Sequence, residues 1–259
     1  MRDPRHRQSG KKLMSERVTR RDTIGLCTLM LQRPEKLNAL DTSAFEELDA
    51  HLAALEGETD RIGCVVVRGA GRAFCAGADL DAMGNVPVSP TFKPGVIERL
   101  GRLPQPVIAA VHGVCYTGGL ELALACDFIL ADATARFADT HGKWGLVGAW
   151  GMSQRLPRRI GVQAAKRMMM TAEPVEGSEA RDIGLVDLLA PAGGLDELLS
   201  GFAAQVLANS WHTNFAIKRL MRETDGMSLT EALTHEHFRY PGYAPDYQER
   251  ISRFRKKSQ

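Results

Sequence analysis

A carboxylate set among apolar residues at the start of a helix is the feature of this chain that most directly suggests chemistry. It is Glu121, within the stretch from Pro106 to Asp127, PVIAAVHGVCYTGGLELALACD. Val107, Ile108, Ala109, Ala110 and Val111 form an apolar run of the kind that makes a fully buried strand. His112-Gly113 and the pair Gly118-Gly119 interrupt it, and from Leu120 strong helix formers take over. A strand that turns through paired glycines into a helix leaves backbone N–H groups free at the helix start, where they favour an oxygen carrying negative charge. Glu121 falls in the first turn of that helix. The helix dipole favours it there, but a carboxylate seldom sits among so many apolar neighbours without a task. A helix charge facing solvent is the alternative that this stretch alone leaves open.

The elements that must position such a site alternate along the chain. Ile24 to Leu31 has the loose alternation of a strand, ended by Arg33-Pro34, and RPEKLNAL (Arg33 to Leu40) is a loop. Asp41 to Glu56 is a helix, with Phe45, Leu48, Leu52 and Leu55 on one face, Ser43 and Glu46 as a capping box, and Gly57 as its stop. Ile62 to Val67 is a strand buried on both faces, followed by the glycine-rich turn RGAGRAFCAGADL (Arg68 to Leu80). Asp81 to Thr91 is a Pro-, Gly- and Ser-rich loop, and Val96, Ile97, Leu100 and Leu103 mark a helix. Phe128 to Leu130 and Thr134 to Phe137 are short strands, and Phe137 to Leu156 is mostly loop. Helices are expected over Val162 to Thr171 and Ser178 to Ile183, then a last strand over Val186 to Leu189. From Leu195 only helices follow: Leu195, Leu198, Leu199, Phe202, Ala203, Val206 and Leu207 share one face, and further helices span Asn214 to Glu223, Ser228 to Phe238 and Pro245 to Lys256. Strands alternating with helices up to about Pro191, then helices alone, define an α/β chain with a parallel-sheet core and a helical appendage.

The composition narrows the class. With 259 residues, 44% hydrophobic and 25% charged, the chain can build one large core, and a net charge of +2 gives no whole-chain case for nucleic acid or membrane as partner. Basic residues do crowd the start, Arg2 to Arg21, and the end, Arg250 to Lys257, where solvated and partly disordered tails are the expectation. Five scattered cysteines without a C-x-x-C pair or zinc spacing fit reduced, buried thiols in a cytoplasmic protein. No apolar run reaches membrane-spanning length. Three short motifs fail: Gly69-Ala70-Gly71 lacks the third glycine of a dinucleotide fingerprint, Gly151-Met152-Ser153 lacks the closing glycine of a nucleophile elbow, and His235-Glu236-His237 lacks metal-binding spacing.

RPEKLNAL, the FCAGADL of Phe74 to Leu80, GVCYTGGLELALACD of Gly113 to Asp127, and FADTH with WGMSQRLPRRIG (Trp150 to Gly161) occur in the order and at the spacing of the crotonase superfamily, which the chain resembles from about Thr23 to Phe254. These are the enoyl-CoA hydratases and isomerases. The resemblance implies a crotonase-like spiral of repeated ββα units over 22–191, after a basic lead over 1–21, with a C-terminal helical trimerisation region over 192–259 that supports a homotrimer or hexamer. It implies an enolate formed from an acyl-CoA thioester, coenzyme A being part of the substrate and no other cofactor or metal being needed. The oxyanion hole matches the backbone N–H groups of Ala78 and Gly118. Aligned donors of this kind are each worth about 3 kcal/mol in a transition state.

Hydratases of this superfamily use two glutamates. The first matches Glu121; the place of the second holds His141, whose two protonation states are both available near neutrality. Asp139 stands two residues before it, placed to orient or charge the ring. The expected roles are activation of water by Glu121 and protonation by His141 or a second water. Arg33, Lys36 and Arg72 lie in or beside segments that line the coenzyme A site in the family, and Ala76, Asp79, Leu80 and Trp144 match its acyl-CoA-binding positions; Trp144 and Trp150 either shape the acyl pocket or pack. Hydration of a 2-enoyl-CoA is the leading reading. A double-bond shift from C3 to C2, which one carboxylate can perform, is a second, and a non-catalytic homologue that binds RNA through its basic tails is a third.

Overall fold

The computed structural model describes residues 16–82 and 89–257. Among these, nine strands form two sheets. Strands β1 (Val18–Asp22), β2 (Gly25–Leu31), β3 (Ile62–Gly69), β4 (Val107–Val111), β6 (Phe128–Asp132) and β9 (Leu188–Ala190) make the larger, in the order β1-β2-β3-β4-β6-β9; β5 (Val114–Tyr116), β7 (Arg136–Ala138) and β8 (Val175–Glu176) make the smaller. All neighbours in the larger sheet are parallel except β1 and β2. The chain repeatedly lays a strand in the larger sheet, turns, and lays a short one in the smaller: β4 then β5, β6 then β7. The bridges Cys75 to Cys115 and Leu40 to Ala78 continue the smaller sheet's parallel pairing through the earlier turns. This is a spiral of two-strand turns, each closed by a helix or loop.

The unbroken apolar runs follow from burial on both faces. Val65, Val67, Val107, Ala109, Val111 and Ile129 enter the main core, shared with helices α1 (Thr42–Glu56), α2 (Phe92–Arg102) and α3 (Gly118–Leu124). Their neighbours Cys64, Val66, Ile108, Ala110 and Leu130 turn the other way, onto Leu195, Leu199 and Ala203. In chain order α4 (Met152–Ile160), α5 (Val162–Thr171) and α6 (Gly177–Asp182) come next, and Leu195, Leu199 and Ala203 belong to α7 (Leu195–Ala208). The helix after the last strand is therefore part of the core, covering the sheet's second face. Helices α8 (Trp211–Glu223), α9 (Leu229–Arg239) and α10 (Tyr247–Lys257) complete the chain.

Several expectations need correction. Val18–Asp22, of which all but Asp22 was assigned to a disordered lead, pairs antiparallel with β2 from Val18 opposite Leu31 to Asp22 opposite Cys27. Its backbone N–H of Val18 is also held by Glu47 at 2.8 Å. The cap of α1 is Asp41, whose carboxylate accepts from the Ala44 N–H at 2.8 Å, and not the Ser43 and Glu46 box, which lies inside the helix. The expected capping box at Ser228 and Glu231 is formed. The stretch read as loop before Leu156 holds the start of α4, and β5 and β8 were not foreseen. The loop expected over Asp81 to Thr91 and the basic residues before Glu16 lie largely or wholly outside the described residues. All five cysteines are buried and unpaired, and burial pushes the Cys64 thiol up to about 12.

Candidate active site

The end of β5 and the start of α3 carry the centre of the site. Gly118 is the first residue of α3, and a Cβ there would lie 2.4 Å from the Trp150 ring and 3.3 Å from the Ala78 nitrogen. Gly77, at φ +109, turns the preceding loop so that a Cβ on it would stand 3.2 Å from the Gly118 nitrogen. The amides of Ala78 and Gly118 are thus brought side by side by residues that must lack a side chain. Neither donates to a protein acceptor among the described residues. Both residues line a cavity of about 490 Å³. Two convergent free N–H groups at a helix start are suited to an oxygen on which negative charge develops.

Glu121 lines the same cavity and is 1% exposed. Its Oε1 accepts two backbone N–H groups, from Trp150 at 2.8 Å and Met152 at 3.1 Å. Met152 opens α4, so that oxygen is seated at a helix N-terminus, while Oε2 lies 3.9 Å from His141 Nε2. Burial raises the Glu121 pKa above the ordinary carboxylate value, against the opposing pull of the two amides and of His141.

His141 opens a 3-10 turn, His141–Trp144, beside the cavity. Its Nδ1 lies 2.6 Å from Asp139 Oδ1, which also accepts the His141 backbone N–H at 3.1 Å. Asp139 is 2% exposed. A carboxylate acceptor at Nδ1 fixes that nitrogen as the donor and turns Nε2 toward Glu121, where it stands 3.9 Å from Oε2. The hydrogen bond to Asp139 raises the His141 pKa above the usual histidine value, with burial opposing it and the Glu121 charge adding to it. Gly148 completes the wall, since a Cβ there would fall 2.9 Å from His141 Cε1 and 3.1 Å from Glu121 Oε1.

Of the other expected site residues, Ala76, Leu80, Trp144 and Trp150 line the cavity. Trp144 is 59% exposed, which places it at the rim and not in packing. Trp150 does both: its ring meets Phe45 edge-on at 4.8 Å while its backbone holds Glu121. Four of the expected residues do not line the cavity. Arg33 is a buried cation, donating to Ala39 O at 2.7 Å and pairing with Asp79 Oδ2 at 2.8 Å, so it is not free to meet a phosphate. Asp79 is turned from the cavity by that pair; burial pushes its carboxyl up, but the guanidinium outweighs this and holds it below the usual range. Its neighbour Ala78 is thereby fixed. Lys36 pairs with Asp81 at the surface and does not line the cavity, and neither does Arg72. Among the lining residues Lys143 is the one lysine or arginine.

No group of His, Cys, Asp or Glu among the described residues has the arrangement of a metal site, and no described helix is long and apolar enough to cross a membrane. Sequence reasoning missed the Trp150 and Met152 amides, Gly148, and a pair of threonines at positions 117 and 140. The dense glycines between His141 and Gly151 were the available signal.

A spiral α/β fold with two free amides beside a buried carboxylate defines a class of catalyst that stabilises an oxyanion next to an acid and a base. The enoyl-CoA hydratase/isomerase family model matches residues 21–259, and the chain belongs to that family. The Arabidopsis thaliana protein named probable enoyl-CoA hydratase 1, peroxisomal, is 30% identical over 226 residues, covering 86% of this chain and 85% of that one. A mitochondrial enoyl-CoA hydratase of Pongo abelii is 33% identical over 222 residues, covering 85% and 76%. The crystal structure of an enoyl-CoA hydratase from Bacillus anthracis superposes with a TM-score of 0.88 at 30% identity, over 93% of this chain and 96% of that one.

Proposed function

We propose that the protein adds water across the double bond of a 2-enoyl-CoA thioester. The observation that carries this reading is the pair of atoms Glu121 Oε2 and His141 Nε2, 3.9 Å apart beside two unengaged amides. Glu121 as carboxylate takes a proton from water through Oε2, and the water oxygen bonds to C3. The electron pair of the double bond moves onto the thioester oxygen, where the N–H groups of Ala78 and Gly118 hold it. Protonated His141 gives its Nε2 proton to C2, and the 3-hydroxyacyl thioester results. Glu121 then carries a proton that His141 lacks. One bridging water or a shift of about 1 Å closes the gap between them and restores both groups without the bulk solvent.

The raised histidine favours the imidazolium as a starting form, while the two amides and His141 favour the Glu121 carboxylate against the effect of its burial. Lys143 and Trp144 at the rim are the side chains we propose for the coenzyme A portion. We also propose a homotrimer or hexamer, supported by exposed Met221, Leu229, Leu233 and Phe238 on α8 and α9. The buried free thiols support a reducing compartment such as the cytoplasm.

Crotonyl-CoA and 3-hexenoyl-CoA separate the readings. Loss of enone absorbance with the first, abolished in Glu121→Gln, is the expected result. A rise in absorbance with the second and silence on the first would make the protein an isomerase.

A further inference from the structure

Among the described residues, Thr117 has the backbone least suited to its type. It has φ 51 and ψ −112, between the last residue of β5 and the first of α3. Leu37 and Ala172 also have positive φ, but with ψ 38 and 28 they occupy the left-handed α well. Thr117 lies outside it, and a β-branched residue at positive φ is a genuine outlier that only surrounding contacts can hold. Such strain is informative when the contacts lead to a functional group.

Here they do. The Thr117 N–H donates to Ala138 O at 2.8 Å, and Thr117 Oγ1 lies 2.5 Å from Thr140 Oγ1. The same Thr117 oxygen accepts the Thr140 N–H at 3.2 Å. Thr140 is the residue between Asp139 and His141, so three hydrogen bonds bind the oxyanion segment to the segment that carries the histidine and its carboxylate. Both threonines line the cavity. Glycine would take the Thr117 backbone conformation without strain but has no side chain to make two of these bonds.

We propose that Thr117 is a positioning residue whose hydroxyl, through Thr140, locks the Asp139–His141 pair in register with the Gly118 amide, so that acid and oxyanion hole move as one unit. This deepens the proposed hydration and rests on it for its catalytic meaning, though the tether itself does not. The charged groups that act on His141 are Asp139 from its own segment and Glu121 from α3, and Lys143 and Tyr116 line the same cavity. Helix α5 packs against the turn; its Lys166 and Arg167 are exposed, and Arg167 pairs with Glu179. Among the described residues, only Asp139 makes a direct hydrogen bond to the ring.

The test uses Thr117→Val, which keeps the shape and loses the hydroxyl, Thr117→Ser, which keeps the hydroxyl, and Thr117→Gly, which relieves the backbone and loses the hydroxyl. In the full protein without substrate, the His141 ring titration is followed by NMR, assigned by its absence in His141→Asn. Thr117→Val and Thr117→Gly should both titrate at lower pH than wild type, because a loosened ring loses part of its Asp139 bond, and Thr117→Ser should match wild type. With crotonyl-CoA, kcat should fall about 10-fold in Val and Gly with KM changed less than about 2-fold, and Ser should recover it. Thr117→Gly should melt at or above the wild-type temperature, which separates the tether from loss of folding. An unchanged histidine titration in both Val and Gly, or a Ser variant as impaired as Val, overturns the proposal. A wild-type protein inert toward crotonyl-CoA would sink the hydratase reading alone, leaving the titration to decide the tether.

Discussion

Glu121 and His141 face each other across 3.9 Å, but the fold holds them by opposite means. Glu121 is 1% exposed, sits in a helix of the core, and has one oxygen held by two main-chain amides, one just before and one at the start of a second helix. His141 sits on a short turn, and its ring is held by one carboxylate only two residues away. Main-chain donors cannot be removed by substituting a side chain, whereas a side-chain partner can. Glu121 is thus secured by topology and His141 by sequence, which teaches where variation in this site can enter without unmaking the fold.

Five variants test that contrast, in falling order of effect. Glu121→Gln should lower kcat by about 10³-fold, with circular dichroism unchanged, since the amide still accepts from Trp150 and Met152 but cannot take a proton. A drop smaller than about 10-fold would mean that Glu121 is not the base. His141→Ala should cost about 10²-fold. His141→Glu alone should recover little, because a second carboxylate would then adjoin Asp139, and adding Asp139→Asn should recover more; equal rates for the single and double variants would contradict this. Gly148→Ala should cost about 10-fold through displacement of His141, measurable in kcat and absent from the melting temperature.

The smallest change in rate, and the most specific in pH, belongs to Asp139→Asn. In the wild type the acid limb of the kcat profile should lie above the ordinary carboxylate pKa of about 4.3, and the alkaline limb above the ordinary histidine value of about 6.5. The neutral amide of that variant can no longer stabilise the imidazolium, so the alkaline limb should move to lower pH, and by more than the acid limb, on which Asp139 is the smallest influence. A fixed alkaline limb would assign it to another group.

The same contrast explains what could be read from the chain. The bounds of β4 and α5 agree with the expected residues, because an uninterrupted apolar run and a run of helix formers after Gly161 are local signals. The placing of Glu121 in the first turn of a helix was legible from its glycine-flanked stretch, whereas Ala78 and Gly118 were named from the family resemblance. What escaped depends on distant partners. The charged sequence Val18–Asp22 forms a strand because β2 offers it a free edge. Met152–Ile160 is helical in spite of Pro157 because Met152 and Leu156 are buried against the core. Arg33 reads as a surface cation until Asp79, far along the chain, closes on it. Asp41 outcompeted Ser43 as the cap of α1 because the helix begins two residues earlier than that box requires.

Seating Oε1 of Glu121 on two amides leaves a single oxygen to work, and it opposes a single ring nitrogen on the same side of the cavity. A planar enoyl group lying against both can be approached from one side only. Hydroxyl and hydrogen should therefore be delivered to the same face, and hydration in deuterium oxide should yield one diastereomer of the labelled alcohol. Stereochemistry is in this sense decided by two backbone hydrogen bonds that never touch the substrate.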